Sequence, residues 1–304
     1  MVVDELQDST GGQLEMIRAL SSHGTCVAAA DDFQDLEATA QNPAVAWARG
    51  VGEVEHLTHI HRTSETGLLR ASEALREGLD LPENGNGFTV LGAQNHNVGA
   101  GFVSRNLTWW RECGDIAVFT PVRAASAAFV RKLIARVEEK PISTPPVGPH
   151  HVPWEESQEE ECERFIEDLG LPVEERADVQ ASDLPLSGAR GPARGLREWI
   201  ERQRRVAGKV SFNGREIRLE ARRSHQRSRA YRRVREGGVR AMTIHQAKNR
   251  EFDSVIVLWP YEVAGSAERQ RRLLYNAITR ARRRALVVVQ NPDRLQREPF
   301  VHLD

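Results

Sequence analysis

The sequence predicts an α/β fold built on a mostly parallel sheet, and three observations carry that expectation. Short apolar runs recur at Thr25–Ala30, Ile116–Phe119, Ser254–Leu258 and Ala285–Val289. Helix-like stretches, rather than tight turns, separate them, which is the pattern of strands joined by crossover helices. Charged motifs follow the apolar runs, and in open parallel sheets ligands gather at the carboxyl ends of strands.

The elements follow in order. Val2 and Val3 close a buried strand. Gln13–Leu20 reads as a helix because Leu14, Ile17 and Leu20 recur at three-residue spacing. Thr25–Ala30 is the next strand. Helices are expected over Thr66–Leu79, Ala124–Glu139 and Ala267–Arg283, with the remaining apolar runs as buried strands.

Composition narrows the function classes. The 304 residues suit two ordinary domains or one large one. With 42 Lys plus Arg against 43 Asp plus Glu, the formal charge of −1 excludes a protein that coats nucleic acid by net charge. No apolar run approaches a membrane span, and Met1 leads into no basic-then-apolar leader. Cys26, Cys113 and Cys162 lie far apart, which excludes a disulfide framework or a cysteine-built zinc site and suits a reducing cytoplasm.

The near-zero total hides two opposed blocks. Glu155–Asp183 holds 12 acidic and 2 basic residues, whereas Arg190–Arg240 holds 17 basic and 5 acidic. A proline-rich run from Pro141 to Pro153 precedes them and favours an extended linker. Two readings of the blocks stand: solvated helix faces, or an arginine surface that meets phosphate whatever the net charge.

Five segments carry chemistry. Val2-Val3-Asp4-Glu5-Leu6-Gln7-Asp8 delivers two adjacent carboxylates at a strand end, one suited to hold Mg²⁺ and one to orient or deprotonate water. Val27-Ala28-Ala29-Ala30-Asp31-Asp32-Phe33-Gln34 runs a second strand into acids and an amide. In Leu57-Thr58-His59-Ile60-His61-Arg62, His59 and His61 share a strand face with His56 nearby, but no fourth metal ligand is in sight. Thr243-Ile244-His245-Gln246-Ala247-Lys248-Asn249-Arg250-Glu251-Phe252-Asp253 precedes one strand. Arg271-Arg272-Leu273-Leu274-Tyr275-Asn276-Ala277-Ile278-Thr279-Arg280-Ala281-Arg282 precedes another, with Arg272, Tyr275 and Thr279 on one helix face.

In this order the segments resemble the UvrD/Rep/PcrA-like superfamily 1 DNA helicases, in which two RecA-like domains of the P-loop NTPase fold clamp ATP and move single-stranded DNA. The resemblance implies a C-terminal portion: a remnant of the first RecA-like domain over 1–50, the second over 51–140 and 237–304, and a reduced, charged insertion over 141–236. It implies ATP and Mg²⁺ as cofactors, with Asp4 on the metal and Glu5 as catalytic base. Gln34 would contact the γ-phosphate, Arg62 and Arg280 would act as arginine fingers, and Glu251 would meet the nucleotide sugar. Thr243, His245 and Lys248 would lie along single-stranded DNA. A DNA-repair context and a cytoplasmic location go with the family.

The chain departs from the family pattern. Ile60 and His61 stand where Asn and Tyr are usual, Glu37-Ala38-Thr39 replaces an aromatic and an Arg-Gly pair, and Asn249-Arg250 replaces Gly-Leu. No GxxxxGK[ST] P-loop occurs; the one Gly-Lys pair, Gly208-Lys209, has Gln203 and Val210 at the flanking motif positions. The expectation is a chain inactive alone as an ATPase: a fragment, a mis-called start or one half of a split protein, with the missing P-loop domain in trans or other repair or defence proteins as partners. The alternative is a catalytically inactive module that binds nucleic acid or a partner; retention of the paired acids and arginines counts against it.

Overall fold

A computed structural model describes residues 1–36, 42–57, 62–122, 127–142, 145–155, 158–188, 190–232 and 238–301. The chain opens with β1 (Val2–Val3), runs through α1 (Gly11–Ser21), and pairs β1 in parallel with β2 (Val27–Ala28). Thr10 and Gln13 form a capping box that starts α1, satisfying backbone donors the first turn leaves open. Leu14 and Ile17 of α1 pack on Leu6, and Ala44 of α2 (Pro43–Val51) joins them. Asn42 caps α2, with Pro43 in the first turn, where a missing N–H costs nothing.

Next come α3 (Thr66–Glu77), β3 (Phe88–Ala93), α4 (His96–Trp110), β4 (Ile116–Thr120) and α5 (Ala128–Glu139). Helix α3 buries Leu68, Ala71, Ser72 and Leu75 at helical spacing, and ends where Gly78 turns left-handed at φ 72°. The charged blocks form α6 (Gln158–Asp168), β5 (Asp178–Gln180), α7 (Pro192–Ala207), β6 (Ser211–Asn213) and α8 (Gly214–Arg232). The chain finishes with β7 (Val239–Thr243), β8 (Phe252–Trp259), α9 (Ala267–Ile278) and β9 (Ala281–Gln290).

Five strands form one parallel sheet in the order β3-β9-β8-β4-β7. Alternate strand residues point to opposite faces, so the sheet carries two cores. Val255, Val257, Val287 and Val289 meet α3 and α9 on one face. Ile256, Leu258, Leu286 and Val288 meet α4 and α5 on the other. Burial on both faces explains why these strands are continuous apolar runs. The α/β class and parallel sheet are therefore observed.

The chain divides into two compact units, Met1–Trp154 with Gly238–Asp304, and Glu155–Gly237. The second unit begins at Glu155. Val152 is buried in the second core, and Trp154 forms a parallel bridge to Ala241, whose N–H donates to the Pro153 carbonyl. The proline-rich run thus packs with the sheet rather than forming an extended linker. Residues at the front of the chain fall in the same unit as the sheet. In the second unit, Leu196 and Ile200 of α7 pack on Ile217 and Ala221 of α8, with the antiparallel β5–β6 ribbon alongside. Among the described residues no helix is long and apolar enough to cross a membrane.

Helix α9 is shorter than expected, stopping at Ile278 instead of Arg283. Two hydrogen bonds close its last turn, Thr279 N–H to the Tyr275 carbonyl and Arg280 N–H to the Ala277 carbonyl. Strand β9 then begins at Ala281, because pairing with β8 and β3 outweighs the helical tendency of Arg282–Arg284.

Candidate functional site

Strand β1 ends in Asp4 and Glu5. Glu5 adopts left-handed backbone angles (φ 52°, ψ 49°), an uncommon conformation away from glycine, and its N–H donates to Asp4 Oδ1 at 3.0 Å. Gln7 is buried and holds two elements together. Its Nε2 donates to Glu5 Oε2, and its Oε1 accepts from the Asp31 N–H at 3.0 Å.

Asp31 follows β2 and caps a single 3-10 turn, accepting from the Phe33 N–H and from Gln34 Nε2 at 3.1 Å. The other face of the Gln34 amide is used as well: its Oε1 accepts from Arg280 Nη2 at 2.7 Å. Arg280 is 3 % exposed, and its Nε donates back to the Asn276 carbonyl. Burial, then the neighbouring Arg62 guanidinium, pulls Arg280 below the usual arginine value, while Glu5, Glu251 and Tyr275 act in the opposite sense.

Arg62 arrives from the segment before α3. Its Nε meets Glu251 Oε1 at 2.7 Å, and its Nη1 donates to the Thr279 carbonyl at 2.8 Å, beside Arg280. Arg282 meets Glu251 Oε2 at 3.0 Å. Burial opposes ionisation of Glu251, but Arg62 and Arg282 outweigh it and hold the carboxyl below its ordinary value.

Glu5, Gln34, Arg62, Glu251 and Arg280 are therefore brought together from both ends of the chain. Glu251 and Arg280 precede β8 and β9, so they lie at the amino ends of those strands. This corrects the expectation that every charged motif falls at a carboxyl end; Asp4, Glu5 and Gln34 do, following β1 and β2.

The remaining expected residues sit outside this cluster. Among the described residues, the Asp4 carboxylate meets the Glu5 N–H alone. Thr243 folds its hydroxyl onto Gln246, Oγ1 donating to Oε1 at 3.0 Å. Lys248 meets Asp8 at 2.7 Å rather than standing free. His245 lies half-buried in the turn after β7. His59, His61 and the Glu37-Ala38-Thr39 departure fall outside the described residues. Among those described, no group of three or more metal-ligating side chains occurs. Gly208, which begins the spurious Gly-Lys pair, ends α7 in a left-handed turn, and Lys209 is paired with Glu216 at 2.8 Å.

One departure has a direct physical reason. Asn249, where the resembled family has glycine, sits at φ 58°. Asparagine is among the few non-glycine residues that occupy this region readily.

A second polar group reinforces the cluster, and the motifs alone did not reveal it. Arg76 of α3 meets Asp31 Oδ2 at 2.5 Å and also donates to the Tyr275 hydroxyl. Its guanidinium lies 4.8 Å from the Tyr275 ring centre, and Phe33 packs edge-on to that ring at 5.1 Å. Arg272 donates to the Asp35 carbonyl and also covers Phe33. Burial works against the Asp31 carboxylate, but Arg76 and Gln34 hold it below its usual value; burial and Asp31 push the Tyr275 phenol up. Nothing in the spacing of α3 singles out Arg76, whereas the Asp-x-x-Gln of 31–34 is a local capping signature.

Residues 238–288, covering β7 to β9 and the turn bearing Arg280, match the family model of the UvrD-like helicase C-terminal domain. The chain resembles the C-terminal portion of a UvrD-like helicase. Among solved structures, the C-terminal domain of a possible DNA helicase from Lactobacillus plantarum WCFS1 is similar at 16 % identity. That alignment covers 76 % of this chain and 88 % of that one, with a TM-score of 0.35. No curated protein matches. Within the UvrD-like match lie Glu251 and Arg280; Glu5, Gln34 and Arg62 lie before it.

Proposed function

We propose that this chain is the C-terminal motor portion of an ATP-dependent DNA helicase or translocase, coupling ATP hydrolysis to movement on single-stranded DNA. One observation carries the reading: Arg280, buried and bonded to Gln34, converges with Arg62 near Glu5 and Glu251. A buried guanidinium with a second, exposed one beside it suits a multiply charged anion, and a nucleoside triphosphate has that chemistry.

The donor set fits Mg²⁺ and ATP. Magnesium is commonly held by one or two carboxylates with water and phosphate completing its shell, and Asp4 is an exposed carboxylate at a strand end. Bound ATP supplies the phosphoryl group that is transferred to water. Glu5, oriented by Gln7, accepts the proton of the attacking water. The Gln34 amide contacts the terminal phosphate, and Arg62 and Arg280 stabilise the charge that develops on it, a contribution worth about 10³–10⁵ in rate for arginine fingers. Glu251 meets the sugar. Thr243, His245 and Lys248 track the backbone of a single strand, with Asp8 exchanged for phosphate at Lys248.

On this reading, residues 1–50 are a remnant of the first RecA-like domain, and the sheet is the second, interrupted by the Glu155–Gly237 unit. No P-loop motif occurs within residues 1–304, so on this reading the phosphate cradle is supplied by a segment outside them. The test is titration of the chain with a fluorescent ATP analogue and Mg²⁺. Weak binding without turnover is expected, lost in Arg62→Ala/Arg280→Ala. Binding indifferent to both substitutions, or DNA-stimulated turnover by the chain alone, overturns the reading.

A further inference from the structure

Strands β8 and β9 start side by side. Phe252 pairs with Ala281, and the Phe252 N–H donates to the Arg280 carbonyl at 2.9 Å. Glu251 and Arg282, which flank that pair, are therefore neighbours. Arg282 Nε and Nη2 both meet Glu251 Oε2, at 3.1 and 3.0 Å. The other carboxylate oxygen, Oε1, accepts from Arg62 Nε at 2.7 Å. One carboxylate thus stands between two guanidiniums, with one oxygen given to each.

The nitrogens of Arg62 and Arg280 divide in the same way. Arg62 commits Nε to Glu251 and Nη1 to the Thr279 carbonyl. Arg280 commits Nε to the Asn276 carbonyl and Nη2 to Gln34. A guanidinium is planar, so two bonded nitrogens fix its orientation. Among the described residues, Arg62 Nη2 and Arg280 Nη1 are left uncommitted. The two arginines differ in what holds them. Arg280 is 3 % exposed and locked by burial, whereas the Arg62 side chain is 32 % exposed. A long side chain in that setting keeps many rotamers unless polar contacts select one. The Arg280 charge also repels it, and Glu251 offsets that repulsion.

We propose that Glu251 is a positioning residue for Arg62, held in turn by Arg282, and that it presents Arg62 Nη2 to the terminal phosphate of a nucleoside triphosphate. The inference rests on the ATP reading above. It leaves the sugar contact intact, because each carboxylate oxygen has a second lone pair. The two roles differ in what they distinguish. A sugar contact strengthens ATP and ADP equally, whereas a positioned Arg62 strengthens only the nucleotide that carries the third phosphate.

The experiment measures that preference in the 304-residue chain, using fluorescent ATP and ADP analogues labelled on the base, each with Mg²⁺. The variants are R62A, E251A, R62A/E251A, E251Q, R282Q and R283Q, with folding of each verified by its urea midpoint. The unaltered chain is expected to favour the triphosphate by about tenfold, the worth of one charge-assisted hydrogen bond. R62A, E251A and the double variant should lose that preference to the same extent, since the two side chains act as one unit. E251Q should restore part of it, because its amide oxygen still accepts from Arg62 Nε. R282Q should show a smaller loss in the same direction. R283Q removes a neighbouring charge whose nearest carboxylate is Asp253, at 3.9 Å, and should change nothing. If E251A weakens both nucleotides equally, or its loss multiplies with that of R62A, the positioning role falls and the proposed function stands. An unaltered chain that binds neither nucleotide overturns both.

Discussion

Arg280 Nη2 donates to Gln34 Oε1 at 2.7 Å across 246 positions of sequence. One hydrogen bond thus ties the turn after β2 to the turn before β9. Arg280→Ala is expected to leave the Gln34 oxygen without its donor and to cost about 1–3 kcal/mol in urea denaturation. Arg280→Lys should recover part of it, since a point charge replaces a planar fork. A denaturation midpoint unchanged in Arg280→Ala would count against this contact.

The Asp31–Arg76 pair gives stability a defined pH dependence. Arg76 is 45 % exposed and Asp31 21 %, so Arg76→Ala should cost about 1–2 kcal/mol, less than the 3–5 of a fully buried pair. Asp31 has a lowered folded-state value, so the unfolded chain binds its proton first. Its contribution is present above the ordinary value of 3.8 and is lost as pH falls through the folded-state value. As pH falls from 3.8 towards that value, the stability of Asp31→Asn should therefore decline less steeply than that of the unaltered chain.

Tyr275 works at the opposite end of the scale. Its phenol titrates above the usual 10.0, so the native state keeps a proton the unfolded chain gives up, and stability declines as pH rises beyond that point. Ultraviolet absorbance should show a late-ionising tyrosine that disappears in Tyr275→Phe. A titration identical in both proteins would contradict the buried contact with Asp31 and Arg76.

Asn249 tests the backbone directly. At φ 58°, Asn249→Gly is expected to be near neutral, while Asn249→Val should cost about 1–2 kcal/mol. Equal stability of the two variants would mean that the left-handed turn is not required.

Lys248 and Asp8 are each partly exposed, so their coupling in a double-mutant cycle should be below about 1 kcal/mol and should fade with salt. Asp8→Asn should raise affinity for single-stranded DNA, because it frees the ammonium group. Reduced affinity in that variant would exclude competition between Asp8 and phosphate.

Legibility in the sequence followed burial. Ile116–Phe119 and Ala285–Val289 were plain because strands buried on both faces are unbroken apolar runs. Strand β3 and helix α4 escaped notice for local reasons. Gly92 and Thr89 dilute the first, and Gly99 and Gly101 weaken the helical pattern of the second. A Cβ at Gly99 would lie 2.7 Å from Leu133 Cδ1, so that side chain would have to shift to admit one. Helix α9 was overextended because Arg282–Arg284 look helical until neighbouring strands claim them. Gln34, Arg62 and Arg280 stood out through motif order alone. Arg76 and Gln7 did not, because their roles arise from long-range contacts that no local pattern encodes.

The bridge between Trp154 and Ala241 carries a last consequence. It brings the stem before the Glu155–Gly237 unit beside edge strand β7, close to where the polypeptide resumes at Gly238. Neighbouring tethers make the span between them almost indifferent to cargo size, since closure entropy grows only with the logarithm of loop length. Replacing 155–237 with a short glycine-serine loop should therefore leave the five-stranded sheet intact, and lineages could enlarge or trim this appendage without redesigning its host.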